Sequence, residues 1–135
     1  MSKAHYDAFE QLIPDGVRVF RGSAPIEPVS AVYPYVVLGG NAGTESTEAV
    51  AGDPDSLDLR FKLTYAGLSL DSVLIIMGQV RPAIRAARMV VPGWVCGLFR
   101  HESLVDITTD FGVKVTDVGA NPVYAVDEYA VFCAR

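Results

Sequence analysis

Hydrophobic and polar positions alternate most regularly between residues 57 and 65. Apolar side chains occupy every second position of this stretch: Leu57, Leu59, Phe61, Leu63 and Tyr65. Such alternation is typical of a half-buried β-strand, because successive side chains of a strand point to opposite faces of the sheet. The pattern therefore predicts a strand whose apolar face another element must cover.

The next segment supplies a helix for that purpose. Ser69 is of a residue type that favours the N-cap position. Apolar residues then recur near one side of a helix: Leu70, Val73, Leu74, Met77, Ile84, Ala87 and Val91. Pro82 lies inside this pattern and removes the backbone hydrogen bond to Gly78, which costs about 3 kcal/mol. The sequence predicts a long helix with a kink between Gly78 and Arg81, and two shorter helices are the alternative.

Weaker patterns flank these two elements. Ser2 can cap a first helix over about residues 3–13, with one apolar stripe formed by Tyr6, Phe9 and Ile13. Residues 17–21 alternate like a short strand, and Pro34 stands where a further strand can begin. Beyond Pro92 the chain returns to short segments rich in β-branched and aromatic residues, at 95–100, 105–109, 113–116 and 123–132.

This order of elements predicts the fold class. Helices and strands do not alternate as βαβ units, so we expect an α+β domain. Two helices would pack against a mainly antiparallel, or mixed, β-sheet, the second helix being long and kinked. We expect residues 1–135 to form a single domain. A polar, glycine-rich loop at about 39–56 is longer than most connections without secondary structure, and we expect it to be mobile until it docks on a partner.

Composition narrows the classes of function. Half of the residues are apolar and a fifth are charged, which is typical of a globular domain. The net charge of −5 argues against general nucleic-acid binding, because that affinity comes mostly from cationic residues. Apolar runs such as residues 73–77 are far shorter than the roughly 18 residues of a membrane span, and no secretory signal is expected.

The sequence carries only weak motifs for phosphate binding, metal binding or catalysis. The segment 39–44 lacks the lysine of a phosphate-binding loop. The carboxylates of Asp53, Asp55 and Asp58 favour a solvated turn over a weak cation site. His5 and His101 are the only histidines, and their neighbours do not indicate a catalytic triad. We therefore expect no catalytic residue, no cofactor and no metal, and a protein that is not an enzyme.

Cys96 and Cys133 are the only cysteines. They lack the C-x-x-C spacing of metal sites, and nothing in the sequence indicates an oxidising compartment. Two buried free thiols are the prediction, and a disulfide between two predicted strands is the alternative.

Three arginines are candidates for contact with a neighbouring subunit. Arg81, Arg85 and Arg88 would share one face of the second helix by their i, i+4, i+7 spacing. They either stabilise the end of that helix or pair with carboxylates of a neighbouring subunit, for which the candidates are Glu45, Glu48, Asp53 and Asp55. For Tyr33 and Tyr35, burial in the core and contact with a partner are equally expected. Trp94 is expected to lie in the core.

The order of these blocks resembles a known family. A Y-P-Y-V-V-L segment opens at 33–38, a strand ends directly before a serine-capped helix with a basic end, and a P-x-Y-A-V-D-x-Y strand closes at 122–129. This arrangement is similar to that of the tail terminator proteins of bacteriophages with long, non-contractile tails.

The resemblance implies a structural role. Such a protein forms a ring, with six subunits the expected number, that caps the head-proximal end of the tail tube and ends its polymerisation. Its partners would be other copies of itself, the major tail tube protein and a neck or head-completion protein. DNA would pass through the ring without sequence-specific binding, and no membrane is involved. We expect it in the host cytoplasm during assembly and then in the virion tail.

Two other functions remain open. Another head–tail connector subunit, such as a tail-completion or neck protein, shares the size, the acidity and ring formation. A small α+β ligand-binding domain or enzyme is the alternative from a different class, and a deep pocket with convergent polar groups would favour it.

Overall fold

The computed structural model describes residues 2–23, 32–46, 56–115 and 117–135. Two helices and seven strands follow one another along this part of the chain. They are α1 (Ser2–Leu12), β1 (Val19–Arg21), β2 (Tyr35–Gly40), β3 (Thr44–Ser46), β4 (Ser56–Gly67), α2 (Leu70–Arg85), β5 (Val95–Cys96), β6 (Arg100–Thr109) and β7 (Val123–Ala134).

One mixed sheet contains all seven of these strands. Its centre is the antiparallel pair β4 and β7, which runs in register from Ser56 opposite Ala134 to Gly67 opposite Val123. The other edge of β4 pairs with β2 and β3, and the other edge of β7 pairs with β5 and β6. Strand β1 adds to β2 in parallel. The two central strands therefore connect all other parts of the sheet.

The alternating segment forms the predicted strand. Strand β4 extends over 12 residues, and its five alternating apolar side chains, from Leu57 to Tyr65, are fully buried. Helix α1 contributes Phe9, whose ring stacks on Phe61 with 4.2 Å between centroids. Helix α2 contributes Val73, Ile76, Met77, Val80 and Ile84 to the same buried cluster. Both helices therefore cover the apolar face of the sheet.

The predicted fold class needs a correction. The sheet is mixed, since β1 runs parallel to β2 whereas the other strand pairs are antiparallel. The second helix is not long and kinked: it is a single helix of 16 residues that ends at Arg85. Ser69 does cap it, since its side-chain oxygen accepts a hydrogen bond from the Ser72 N–H at 3.2 Å.

Helix α2 ends well before Pro92, at Arg85. That proline drives only the residue directly before it, Val91, out of the helical region. The chain leaves the helix at Ala86, so Met89 and Val91 enter the core from an irregular segment. Pro82 is accommodated inside the helix. Gly78 is exposed, so its carbonyl can bind water in place of the missing N–H.

Part of the predicted loop is ordered in the sheet. Strand β2 continues to Gly40, and residues 44–46 form β3, which pairs with the start of β4. Residues 47–55 lie outside the described part of the chain, so the mobility of this loop stays a prediction. Of the segment predicted at 113–116, Val115 forms a single bridge to Ala120.

Candidate functional site

A buried carboxylate ties α2 to the sheet. Asp127, on β7, has a fully buried side chain. Arg81, on α2, donates two hydrogen bonds to it, from Nε to Oδ2 and from Nη2 to Oδ1, each 2.8 Å long. His101, on β6, places Nε2 3.0 Å from Oδ1 of the same carboxylate. We call these three residues the Asp127 cluster.

Electrostatics favour the ionised form of this carboxylate. Burial alone raises the pKa of Asp127, but the hydrogen bonds from Arg81 and His101 outweigh it and hold that pKa below its usual value. The same contact raises the pKa of Arg81. Burial raises the pKa of the nearby phenols of Tyr65 and Tyr129, so both stay neutral. The cluster is therefore a buried ion pair between neutral aromatic residues.

A small cavity opens beside the Asp127 cluster. It measures about 140 Å³ and is lined by Arg81, Arg85, Phe99, His101 and Tyr129. Ligand pockets usually measure roughly 300 Å³ or more. None of these five described residues is a serine, threonine or cysteine nucleophile, and the Asp127 carboxylate is already engaged by Arg81 and His101. In this arrangement the Asp127 carboxylate makes a structural contact between α2 and the sheet.

The three candidate arginines differ in their surroundings. Arg81 is held inside the subunit by Asp127. Arg85 is exposed at the last position of α2, and Arg88 is exposed beyond its end. The prediction that all three share one helix face is wrong for Arg88, because the helix ends before it. Arg85 and Arg88 are the two whose exposure suits contact with a partner.

The candidate carboxylates are only partly described. Glu45 is exposed on β3. Glu48, Asp53 and Asp55 lie outside the described residues, so their pairing with the arginines stays a prediction.

Tyr33 and Tyr35 are packed side by side, with 5.0 Å between ring centroids. Tyr35 is buried, contacts the edge of the Phe20 ring, and has a pKa raised by burial. Tyr33 is half-buried and lines an open groove of about 530 Å³. The other lining residues include Arg18 before β1 and Ile75 on α2. Of the two tyrosines, Tyr33 is the one that a partner could reach.

Several large apolar side chains are exposed, and two groups of them lie on different elements of the chain. The first, the α2 patch, consists of Leu70, Leu74 and Ile75. The second, the hairpin patch, lies on β6 and the connection between β6 and β7, and consists of Leu104, Phe111 and Val118. Phe111 is 83% exposed. Leu70 and Leu74 were predicted on the apolar side of the helix that covers the sheet, and their exposure corrects that prediction. The exposure of Phe111 was not predicted.

The β6 strand also leaves a free edge. One side of its ten residues pairs with β7. No described strand pairs with its other side. An exposed strand edge carries unpaired backbone donors and acceptors that can bind a strand of another chain.

The two cysteines are bonded to each other. Cys96 on β5 lies directly opposite Cys133 on β7, and the pair forms a disulfide. The prediction of free thiols is wrong because the strand register places both side chains together, which sequence alone did not show. Trp94 packs its ring at 75° to the ring of His5 in this region, with 5.1 Å between centroids.

In the described part of the chain, neither helix has the length and apolar content needed to cross a membrane.

Comparisons with known proteins give information at the level of fold. No protein-family model and no curated protein matches this sequence significantly. Among solved structures, the chain is similar to one from a structure described as "Virion of native gene transfer agent (GTA) particle". The TM-score is 0.50 at 14% sequence identity, over 97% of this chain and 93% of that chain. The two chains share a fold over nearly their whole lengths.

Proposed function

We propose that this protein is a structural subunit of a phage-like virion. The observation that carries the proposal is the fold similarity to a chain of a gene transfer agent virion, which covers both chains almost completely. The order of sequence blocks supports a more specific role, that of a tail terminator. In this role the protein forms a ring on the head-proximal end of the tail tube and stops the addition of further tube subunits.

The surface suits assembly into a closed ring. A ring with cyclic symmetry needs two different patches on each subunit, because each subunit contacts its two neighbours through different surfaces. The α2 patch and the hairpin patch are exposed, apolar and carried by different elements of the chain. The free edge of β6 adds backbone groups that could extend the sheet into a neighbouring chain. These features support contact between copies of the chain and with the tail tube.

Charge supports the same role. Arg85 and Arg88 are exposed and available for carboxylates of a neighbour, whereas the guanidinium of Arg81 is held by Asp127 within the subunit. The net charge of −5 disfavours adhesion of DNA, as a channel for genome passage requires. Six subunits remain the expected ring number, and a neck or head-completion protein is the expected partner on the face away from the tube.

The test is a capping experiment. Purified protein is added to tail tubes assembled without it, and the tubes are examined by electron microscopy. We expect a ring on one end of each tube and no further growth when fresh tube subunits are added. Continued growth from uncapped ends would contradict termination. If the protein instead bound only to heads that carry a portal, a neck function would replace the proposed function in tail termination.

A further inference from the structure

Three elements that are distant in sequence meet at a group of soft ligand atoms. His5 of α1, Cys96 of β5 and Cys133 of β7 each offer one potential ligand atom, and these atoms lie within 4.8 Å of one another. His5 and Cys133 are fully buried, and Cys96 is 4% exposed. Imidazole nitrogen with two sulfur atoms is a ligand set that thiophilic ions such as Zn²⁺ prefer.

We propose that the reduced protein binds a divalent thiophilic ion, Zn²⁺ or its analogue Co²⁺, through His5, Cys96 and Cys133. The disulfide and the metal site are alternative states of the same residues. A dithiol reductant supplies two electrons and two protons, the sulfur–sulfur bond breaks to give two thiols, and the reductant becomes a disulfide. The metal ion then displaces both thiol protons into solvent and bonds to the two thiolates and the neutral imidazole.

Geometry is compatible with this second state. A tetrahedral ion with bonds of about 2.3 Å to sulfur and about 2.0 Å to nitrogen keeps its ligand atoms roughly 3.5–3.8 Å apart. The existing separations are within 4.8 Å, and the sulfur atoms move apart once their bond is broken. Three protein ligands leave one position of the ion for a water molecule.

Charge selects the type of ion. Two thiolates carry a charge of −2, which is unfavourable in a space as buried as this one. A divalent ion with a neutral imidazole cancels that charge, whereas a monovalent ion leaves one negative charge behind. In a reducing compartment, where disulfides do not persist, the ion would hold α1, β5 and β7 together in place of the covalent bond.

Trp94 provides a local reporter. It is the only tryptophan of the chain. One side of its ring packs against His5, and the guanidinium carbon of Arg135 lies 4.7 Å from its centroid. Reduction or metal binding at His5 should therefore change the intrinsic tryptophan fluorescence of the protein.

The experiment compares oxidised and reduced protein. The protein is reduced with dithiothreitol, desalted without oxygen and titrated with Co²⁺, while the sulfur-to-cobalt charge-transfer absorption and Trp94 fluorescence are recorded. We expect one equivalent to bind the reduced protein, Zn²⁺ to displace it, and the oxidised protein to give no band. Absence of the charge-transfer band from folded, reduced protein would overturn the proposal.

Two histidine variants make the test specific. His5→Gln removes one ligand and keeps both cysteines, and it should weaken Co²⁺ binding at least about tenfold. His101→Gln is the matched control, because His101 contacts Asp127 on the sheet instead, and it should bind Co²⁺ like the unmodified protein. Far-ultraviolet circular dichroism establishes that both variants are folded. Equal affinity of His5→Gln and unmodified protein would show that the cysteines bind without the histidine, against the proposed site.

Discussion

Arg81 on α2 and Asp127 on β7 form a bidentate ion pair whose carboxylate is completely buried. The pair joins the helix to the middle of the sheet. A buried charge that loses its partner is far more destabilising than an exposed one, because its lost hydration is no longer offset.

Removal of the arginine should therefore destabilise the subunit. We expect Arg81→Ala to lower the free energy of unfolding by about 3 kcal/mol, because it leaves the Asp127 carboxylate without its main partner. Urea denaturation followed by circular dichroism measures this. Arg88→Ala, at an exposed position, is the control and should stay within about 0.5 kcal/mol of the unmodified protein. Equal stabilities of the two variants would show that the ion pair contributes little.

The same pair predicts a pH dependence. The pKa of Asp127 is lower in the folded protein than its usual value, so its ionised form stabilises the fold. This contribution is complete above the unfolded pKa of about 3.9 and is lost as the pH falls through the lowered folded pKa. The difference in unfolding free energy between unmodified protein and Asp127→Asn should therefore shrink below about pH 4. A gap that stays constant from pH 7 to pH 3 would contradict this assignment.

The disulfide should stabilise the oxidised protein. Cys96 and Cys133 are 37 residues apart, and closing a loop of this length is expected to contribute about 3–4 kcal/mol, mainly by restricting the unfolded chain. Metal-free protein should lose this amount of unfolding free energy on reduction with dithiothreitol. The double variant Cys96→Ser, Cys133→Ser is the control, since dithiothreitol should not change its stability. A reductant effect of the same size in that variant would exclude the disulfide as its cause.

Charge reversal at Arg85 separates assembly from folding. Arg85 is exposed at the end of α2, so Arg85→Glu should change the unfolding free energy of the monomer little. If Arg85 pairs with a neighbouring carboxylate, the variant should shift the oligomer distribution in analytical ultracentrifugation towards monomer. Lys3→Glu makes the same change of charge at an exposed position on α1, outside both apolar patches, and should leave the distribution as it is. If Arg85→Glu leaves the oligomer distribution unchanged, Arg85 does not contribute to the interface.

Phe111 tests the hairpin patch. Its side chain is 83% exposed, so Phe111→Ser should leave the monomer about as stable as before, within roughly 0.5 kcal/mol. We expect it to reduce the fraction of capped tail tubes in electron micrographs, because an apolar contact with a neighbour is lost. Leu98→Ser is a matched control at another exposed apolar residue outside both patches. Capping at the unmodified level by Phe111→Ser would exclude this patch from assembly.

Local periodicity was sufficient for some elements and insufficient for others. The alternation from Leu57 to Tyr65 predicted β4 because a strand with one buried face imposes a period of two on the sequence. Ser69 marked the start of α2 for a similarly local reason. The end of α2 was misjudged, because apolar residues at Ala87 and Val91 continue the helical spacing after the backbone has left the helix.

Contacts between distant segments were not accessible from local patterns. The parallel pairing of β1 with β2 depends on the path of the chain rather than on the residues of either strand. The register that bonds Cys96 to Cys133, and the approach of His5 to both, also depends on long-range packing. Asp127 was read as part of a closing strand, and its burial beside Arg81 depends on how the helix crosses the sheet. The resemblance based on block order supplied a function but could not indicate these contacts.

The position of β7 in the sheet sets the order of events during protein synthesis. Strands β5 and β6 pair with β7, and β4 has one edge uncovered until β7 arrives. Because ribosomes add about 5–20 residues per second, Ser56 at the start of β4 waits roughly 4–16 seconds for its partner Ala134. Such long-range pairing also slows folding once synthesis has passed that strand. A nascent chain stalled before this strand cannot complete the sheet, so incomplete translation products should be cleared by proteases instead of entering a growing particle.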